Sequence, residues 1–463
     1  MPEFTLKSLK PGAHIHFIGI GGISMSALAE ILVKNAYTIS GSDIRQSPLT
    51  DKLKTMGVSL LIGHSKENVT GADLIVYTAA VKGDNPEMTA AKELGIMTID
   101  RPTLLGAIMK DYKHAIAITG THGKTTTTSM VSSILMHADV DPTILVGEVL
   151  DSIDGNVRIG NSTYFVTEAC EYCESFLKFY PYIGVILNIE ADHLDYFKDL
   201  EHIITAFKKF TQLVPDNGYV VVCGDDPNAL KAVDGTKAHV ITYGTEGPHC
   251  DWKAANITFN ENGFPGFDMI YKGNTLATVQ LNVPGMHNVY NALAAAACAY
   301  VLKTDVTSIA NGLHAYKGAR RRFEIKGKVH GVTIVSDYAH HPTEVKATLK
   351  AAVAFPHNKV WCVFQPHTYT RTHALINEFS EAFQDADRVI ITDIYAAREK
   401  DDGKVHAKDL VNIMNNKDYP ATYIADFNDI ASYVKENAGE GDLVLTMGAG
   451  SIDQLSEILL HNE

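Results

Sequence analysis

The chain has 463 residues, 46% of them hydrophobic, and 40 basic against 54 acidic side chains give it a formal charge of −14. That length predicts about three domains of ~150 residues, with cores large enough to need no disulfide or metal staple. The charge excludes a general nucleic-acid binder, which needs an electropositive face, although a few cations and backbone N–H groups can still build a local anion pocket.

The opening MPEFTLKSLKPG lacks the apolar run of a signal peptide, and no later stretch reaches membrane-span length, so a cytoplasmic protein with no membrane insertion is expected. The first segment, residues 1–109, begins with the strand HIHFIGI and a glycine turn. A helix follows, with Met25, Leu28, Ala29 and Leu32 on one face. YTISGSD, VSLLIG and ADLIVYTAA read as further strands, and their alternation with helices predicts a parallel sheet. The turn gives Gly19-x-Gly21-x-x-Ser24, a dinucleotide fingerprint with Ser in place of its third glycine, and Asp43 follows about twenty residues on. The spacing suits an NAD enzyme, and the pyrophosphate of any other nucleotide could use the same helix terminus.

The second segment, residues 110–323, carries the strongest signal. Strand HAIAIT leads into Gly120-Thr121-His122-Gly123-Lys124-Thr125-Thr126, and Met130, Val131, Ile134 and Leu135 mark a helix beyond. Loop glycines let N–H groups approach phosphates, Lys124 can reach the terminal phosphates, and the Thr125 hydroxyl can bind Mg²⁺. Ile118 stands where a full Walker loop has glycine. Strands YFVTEA and YIGVILNI bring Glu168 and His193 to strand ends. Glu168 suits Mg²⁺, whereas His193 reads as ligand or core residue. Cys170-x-x-Cys173 has redox spacing, but Glu168, Glu171 and Glu174 around it oppose a reactive thiolate, so free thiols are expected. Residues 250–283 predict meandering strands, with turns at Glu261-Asn262-Gly263 and Lys272-Gly273-Asn274. An Ala-rich helix, NALAAAACAYVL, follows. Arg320-Arg321-Arg322 then serves either to neutralise phosphates or as a solvated linker.

The third segment, residues 324–463, shows four apolar strands: KVWCVF, RVIITDIY, ATYIAD and DLVLTMG. Asp337-Tyr338-Ala339-His340-His341-Pro342 and Gln365-Pro366-His367-Thr368-Tyr369-Thr370-Arg371 each follow an apolar strand, where open α/β sheets bind ligands. The paired His make a weak zinc signal without a third ligand. Gly448-Ala449-Gly450 is a ligand loop or a tight turn. The fold expected is α/β in three domains, each on a mostly parallel sheet: Rossmann-like, then a P-loop-type ATPase with an added β meander, then Rossmann-like again. The site is expected between domains.

Taken in order, GTHGKTTT, EAxE…SFL, NIEADHLD, PGxHNxxNAxAA, RRFE, DYxHHPTE and QPHxYTRT resemble the Mur ligase family, from about residue 14 to residue 455. The resemblance implies an ATP- and Mg²⁺-dependent ligase of peptidoglycan precursor synthesis. GIGGISMSALA and QPHTYTRT are similar to the members that join L-alanine to UDP-N-acetylmuramate through an acyl phosphate. Members that add a recycled tripeptide to the same nucleotide sugar, and an NAD-dependent oxidoreductase, are the alternatives.

By that resemblance, Gly19, Gly21, Gly22, Ser24, Asp43 and His64 would bind the UDP part. ATP would lie on Gly120, Thr121, His122, Gly123, Lys124, Thr125 and Thr126, with His287, Asn288 and Asn291 on its adenine and ribose side. Arg321 or Arg322, and Asp337, would close over it. Thr125, Glu168 and His193 would hold Mg²⁺, and Tyr338, His340, His367 and Arg371 would take the amino acid. Lys124 and Arg322 would stabilise the transferring phosphoryl group, and His193 or His340 would assist proton removal. Lys208 and Lys209 are candidates for a carbamylated lysine. Thr78-Ala79-Ala80, Thr368 and DIYAARE depart from the family's usual residues. The sequence gives no sign of oligomeric state.

Overall fold

The computed structural model describes residues 4–247, 250–397, 399–417 and 419–461. Three sheets follow one another along the chain. The first runs Ser59–Ile62, Thr38–Asp43, His14–Ile18, Leu74–Tyr77, Met97–Asp100, all parallel. Its order reverses at His14–Ile18, so the turn at Gly19 lies at the topological switch point, where such sheets open a ligand crevice. Met25, Leu28, Ala29 and Leu32 of helix Ile23–Lys34 are buried, as their spacing predicts.

The central sheet has ten strands. From Trp252–Phe259 it runs parallel through His239–Gly244, Tyr219–Cys223, Ile183–Ile186, His114–Thr119 and Tyr164–Glu168 to Thr143–Leu150. Antiparallel strands finish both edges. One edge is the expected meander, which extends the parallel sheet rather than standing apart. Its second turn has Lys272 at φ +47° and Gly273 at φ +83°, the left-handed pair a two-residue hairpin turn needs. The sequence reading does not mark Thr143–Leu150, Gly155–Arg158, Tyr219–Cys223 or His239–Gly244. The Ala-rich helix Met286–Val301 packs against helix Lys124–His137, and Ala292 to Ala299 are buried. Helix Val306–Ala315 approaches so closely that a Cβ on Gly312 would sit 2.4 Å from Ile134 Cα.

The third sheet has six strands, not the four expected: Glu324–Val329, Val332–Asp337, Leu443–Met447, Val360–Phe364, Arg388–Ile391, Ala421–Tyr423. The two strands outside those four form the antiparallel hairpin Glu324–Asp337, of which Val332–Asp337 is the apolar strand leading into Asp337-Tyr338 and Glu324–Val329 is unexpected. Its edge strand, EIKGKV, is exposed or half-buried throughout and carries no apolar run to betray it. Among the described residues, no helix is long and apolar enough to cross a membrane.

Candidate active site between the second and third domains

The loop after strand His114–Thr119 is shaped by two glycines at positive φ, Gly120 at +141° and Gly123 at +85°. A Cβ on Gly123 would fall 2.6 Å from Asn291 Oδ1, so only glycine fits there. Asn188, which the sequence reading missed, brackets the loop. Its Oδ1 accepts from His122 N at 2.8 Å and its Nδ2 donates to His122 O at 3.1 Å. Only its place near the end of YIGVILNI and at the head of NIEADHLD hinted at this.

Lys124 Nζ is folded back over the loop, donating to Thr121 O at 3.1 Å and to the Glu171 carboxylate at 3.0 and 3.2 Å. Burial pulls its pKa down, but Glu171 with Cys170 and Glu168 outweighs burial and raises it, so the ammonium is retained. Glu171, itself buried, is the second acid of EACE and was not singled out. Thr125 Oγ1 donates to Glu168 Oε2 at 3.1 Å, and Gly147 N to Glu168 Oε1 at 2.7 Å. His193, at φ +53°, places Nε2 3.7 Å from Glu171 and 3.8 Å from Asp192, not against Glu168. Burial lowers its pKa and favours the neutral ring. Cys170 and Cys173 are free thiols, and burial with Glu171 pushes Cys170 up to about 11.

Beside the loop lies a cavity of about 330 Å³. The central domain lines it with Gly123, Thr126, His287, Asn288 and Asn291, and the third domain adds Asp337 and Glu344 opposite. Asn291 accepts from Thr127 Oγ1 at 3.2 Å and donates to Asn288 Oδ1 at 3.1 Å. Burial pushes His287 down to about 4. Tyr290, also unforeseen, donates its hydroxyl to Asp225 at 2.9 Å on the rim.

The adjacent arginines divide their work. Arg321 Nη2 donates to Gly448 O at 2.6 Å and to Gly450 O at 3.1 Å, so it ties down the glycine loop after the last strand. Arg322 lines the cavity, and its buried Nε has no partner among the described residues. Its guanidinium lies 5.0 Å from the Tyr338 ring centroid. Asp337 is held by Phe323 N and Ala339 N, both at 2.8 Å, and burial raises its pKa. His122 reaches across the domains to Glu344 at 3.1 Å, with Glu190 at 3.5 Å. Burial opposes its protonation, but the two carboxylates prevail and lift it to about 9. His341 joins His122 and Glu190 in a group with donor atoms within 4.8 Å of one another.

A second cavity, of about 170 Å³, is lined by Tyr338, His340, His367 and Arg371, with Asp192 and His193 facing them. Arg371 is forked onto Asp192, and its Nη1 lies 3.2 Å from His367 Nδ1. Burial pushes His340 down to about 4. Thr368 caps helix Tyr369–Ala374.

In the first domain, Gly19 has φ +82°, Gly22 caps helix Ile23–Lys34 and Ser24 falls in its first turn. Asp43 does not hang free. It accepts from Gly21 N and Ile44 N, each at 2.8 Å. His64 is 2.9 Å from buried Glu87. Lys208, 38% exposed, pairs with Asp234, and Lys209, 50% exposed, pairs with Glu174, so both are engaged away from the loop.

A phosphate loop, a buried arginine whose Nε has no hydrogen-bond partner among the described residues across a nucleotide-sized cavity, and a smaller cavity alongside are the equipment of a multidomain ATP-dependent ligase. Three family models match the chain: "Mur ligase family, catalytic domain" over residues 14–113, "Mur ligase middle domain" over 118–299, and "Mur ligase, glutamate ligase domain" over 321–450. A UDP-N-acetylmuramate–L-alanine ligase of Acetivibrio thermocellus is 55% identical over 463 residues, spanning 100% of this chain and 99% of that one. Its counterpart from Alkaliphilus metalliredigens is 54% identical over 460 residues, spanning 99% and 98%. The crystal structure of the UDP-N-acetylmuramate–alanine ligase from Thermotoga maritima superposes with a TM-score of 0.80 at 29% identity, covering 96% and 98%. A murein peptide ligase from Psychrobacter arcticus gives 0.70 at 25%, covering 97% and 98%. The chain belongs to the Mur ligase family. It is an ATP-dependent ligase, which sets aside the oxidoreductase alternative.

Proposed function

We propose that the protein joins L-alanine to the carboxylate of UDP-N-acetylmuramate, with cleavage of ATP to ADP and phosphate, in the cytoplasmic synthesis of peptidoglycan precursors. The observation that carries this reading is the adjacency of the two cavities. Segments 190–192 and 338–340 contribute to the walls of both. An activated acyl group formed at the first is therefore within reach of an amine in the second. A cavity of about 170 Å³ suits a small amino acid better than a tripeptide.

We take the domains as 1–109 for the nucleotide sugar, 110–323 for ATP and 324–463 for the amino acid. A carboxylate oxygen attacks the γ-phosphate in line and ADP leaves. Lys124 releases Glu171 and Arg322 turns its unsatisfied Nε–H to the phosphate, so both cations meet charge that spreads over the transferring group. The amine then attacks the acyl carbon and phosphate departs. Neutral His193 and His340 stand beside that step as proton acceptors. Closure of the third domain excludes water from the acyl phosphate.

Thr125 and Glu168 offer oxygen donors already in contact, the chemistry Mg²⁺ prefers. His193 would need to turn from Glu171 to join them. Mg²⁺ when bound there would neutralise phosphate charge. Phosphate release with ATP and UDP-N-acetylmuramate, compared across L-alanine, glycine, L-serine and the tripeptide, tests the reading. L-Alanine should give the highest kcat/KM, and a preference for the tripeptide would overturn it.

A further inference from the structure

The smaller cavity contains an acid that the reading above does not use. Asp192 is 7% exposed and lies directly before His193. Arg371 Nε donates to its Oδ1 at 3.0 Å and Nη2 to its Oδ2 at 3.3 Å, while His193 N donates to Oδ1 at 2.7 Å. A carboxylate has about four acceptor positions, and these three donors leave one on Oδ2. Both members of the pair line the cavity. Burying an ion pair is costly, and holding two domains together does not require it, because apolar contacts serve as well.

Resting on the assignment of this cavity to the amino acid, we propose that Asp192 is the receptor for the ammonium group of the incoming amino acid, set beside Arg371 as the receptor for its carboxylate. A free amino acid is a zwitterion, and a fixed carboxylate–guanidinium pair presents the complementary dipole. The ligand adds no net charge to the cavity, so each of its ends gains a charge-assisted hydrogen bond without leaving a buried charge unmatched. Ligands with one charge, whether simple amines or simple carboxylates, lack half of this recognition. Asp192 also follows Ala191, whose carbonyl lies 3.3 Å from His341 Nε2. The acid therefore belongs to a segment tied to both sides of the domain interface, beside the phosphate loop.

The test is Asp192→Asn in the full-length enzyme, which keeps the shape and removes the charge. Phosphate release is followed with ATP, UDP-N-acetylmuramate and one of three nucleophiles. L-Alanine carries both charges, ethylamine carries the ammonium alone, and hydroxylamine is uncharged at neutral pH and traps the acyl phosphate directly. The KM for L-alanine should rise about tenfold to a hundredfold, and kcat/KM for ethylamine should fall comparably, as expected for loss of one charge-assisted contact. Hydroxylamine-dependent release, and the KM values for ATP and the nucleotide sugar, should stay within about twofold. A parallel fall with hydroxylamine would overturn the proposal, since Asp192 would then serve folding or carboxylate activation. So would an unchanged KM for L-alanine. A loss with L-alanine but not with ethylamine would also overturn it, because the acid would be acting only by orienting Arg371. If wild-type enzyme prefers a different amino acid, the substrate assignment fails, and the same variant is read with that amino acid.

Discussion

Two glycine turns in this molecule share one construction and differ in charge. Each follows a strand at a sheet's switch point and opens a helix, at Gly19–Ser24 in the first domain and Gly120–Thr125 in the second. The second is crowded with ionised groups: Lys124 on Glu171, Thr125 on Glu168, and His122 reaching Glu344. The first has no cation on its turn, and its one acid, Asp43, is bonded back onto the turn at Gly21 N. A turn that only binds a pyrophosphate can work with backbone donors and a helix terminus. A turn that must also stabilise a migrating phosphoryl group needs mobile cations, and it needs acids to hold them before ATP arrives. Glu171 is such an acid.

That contrast is broken most sharply at Lys124. Lys124→Ala should lower kcat by about 10²–10³ while leaving binding of the nucleotide sugar intact, the magnitude of one transition-state contact. Single-turnover phosphate release together with equilibrium binding of UDP-N-acetylmuramate reads both. Retention of more than about a tenth of kcat would show that the ATP loop, like the first turn, works through its backbone.

The arginines sharpen it next. Arg322→Ala should cost about tenfold to a hundredfold in kcat/KM for ATP, because it lines the cavity and its buried Nε has no hydrogen-bond partner among the described residues. Arg321→Ala should act on thermal stability, because its bonds go to Gly448 and Gly450. Equal kinetic losses in the two variants would contradict this division.

Much of this was legible in the residues. The strand–turn–helix units around Gly19 and Gly120, the meander and the Ala-rich helix all announce themselves through periodicity and turn chemistry. The edge strand Glu324–Val329 does not, because a half-exposed edge carries no apolar run. The choice between Arg321 and Arg322 was open, since neighbouring residues on one segment point apart and only tertiary partners separate them. Asn188, Glu171 and Asp192 were hidden for a related reason. Each acts on a residue remote in sequence or already chosen, and no local spacing marks such a pairing.

A smaller effect is expected at Asp43. Its two oxygens accept separately from Gly21 N and Ile44 N. Asp43→Asn leaves one acceptor oxygen for these two donors, so the KM for the nucleotide sugar should rise about threefold to tenfold with the KM for ATP unchanged. Matched increases in both would mean that the two turns are coupled through domain closure.

The smallest kinetic effect, and the clearest pH signature, belongs to Glu87 behind the first turn. The carboxyl is fully buried, which alone would raise its pKa, but the His16 ring 3.7 Å away and hydrogen bonds with Asn68, Ser42 and His64 outweigh burial and hold it at about 2, against 4.5 for an ordinary glutamate. A depressed folded-state pKa adds stability that is fully present above the unfolded value and is lost as pH falls from 4.5 through 2. Allowing for solvent screening, that is on the order of 2 kcal/mol at neutral pH. Glu87→Gln should therefore lower the urea midpoint at pH 7, and the gap to wild type should narrow as the pH is brought below about 4. Because His64 rests on this carboxyl, the variant should also raise the KM for the nucleotide sugar slightly, by about twofold. A stability gap that stays constant from pH 7 to pH 3 would mean that shape, not charge, holds the first turn in place.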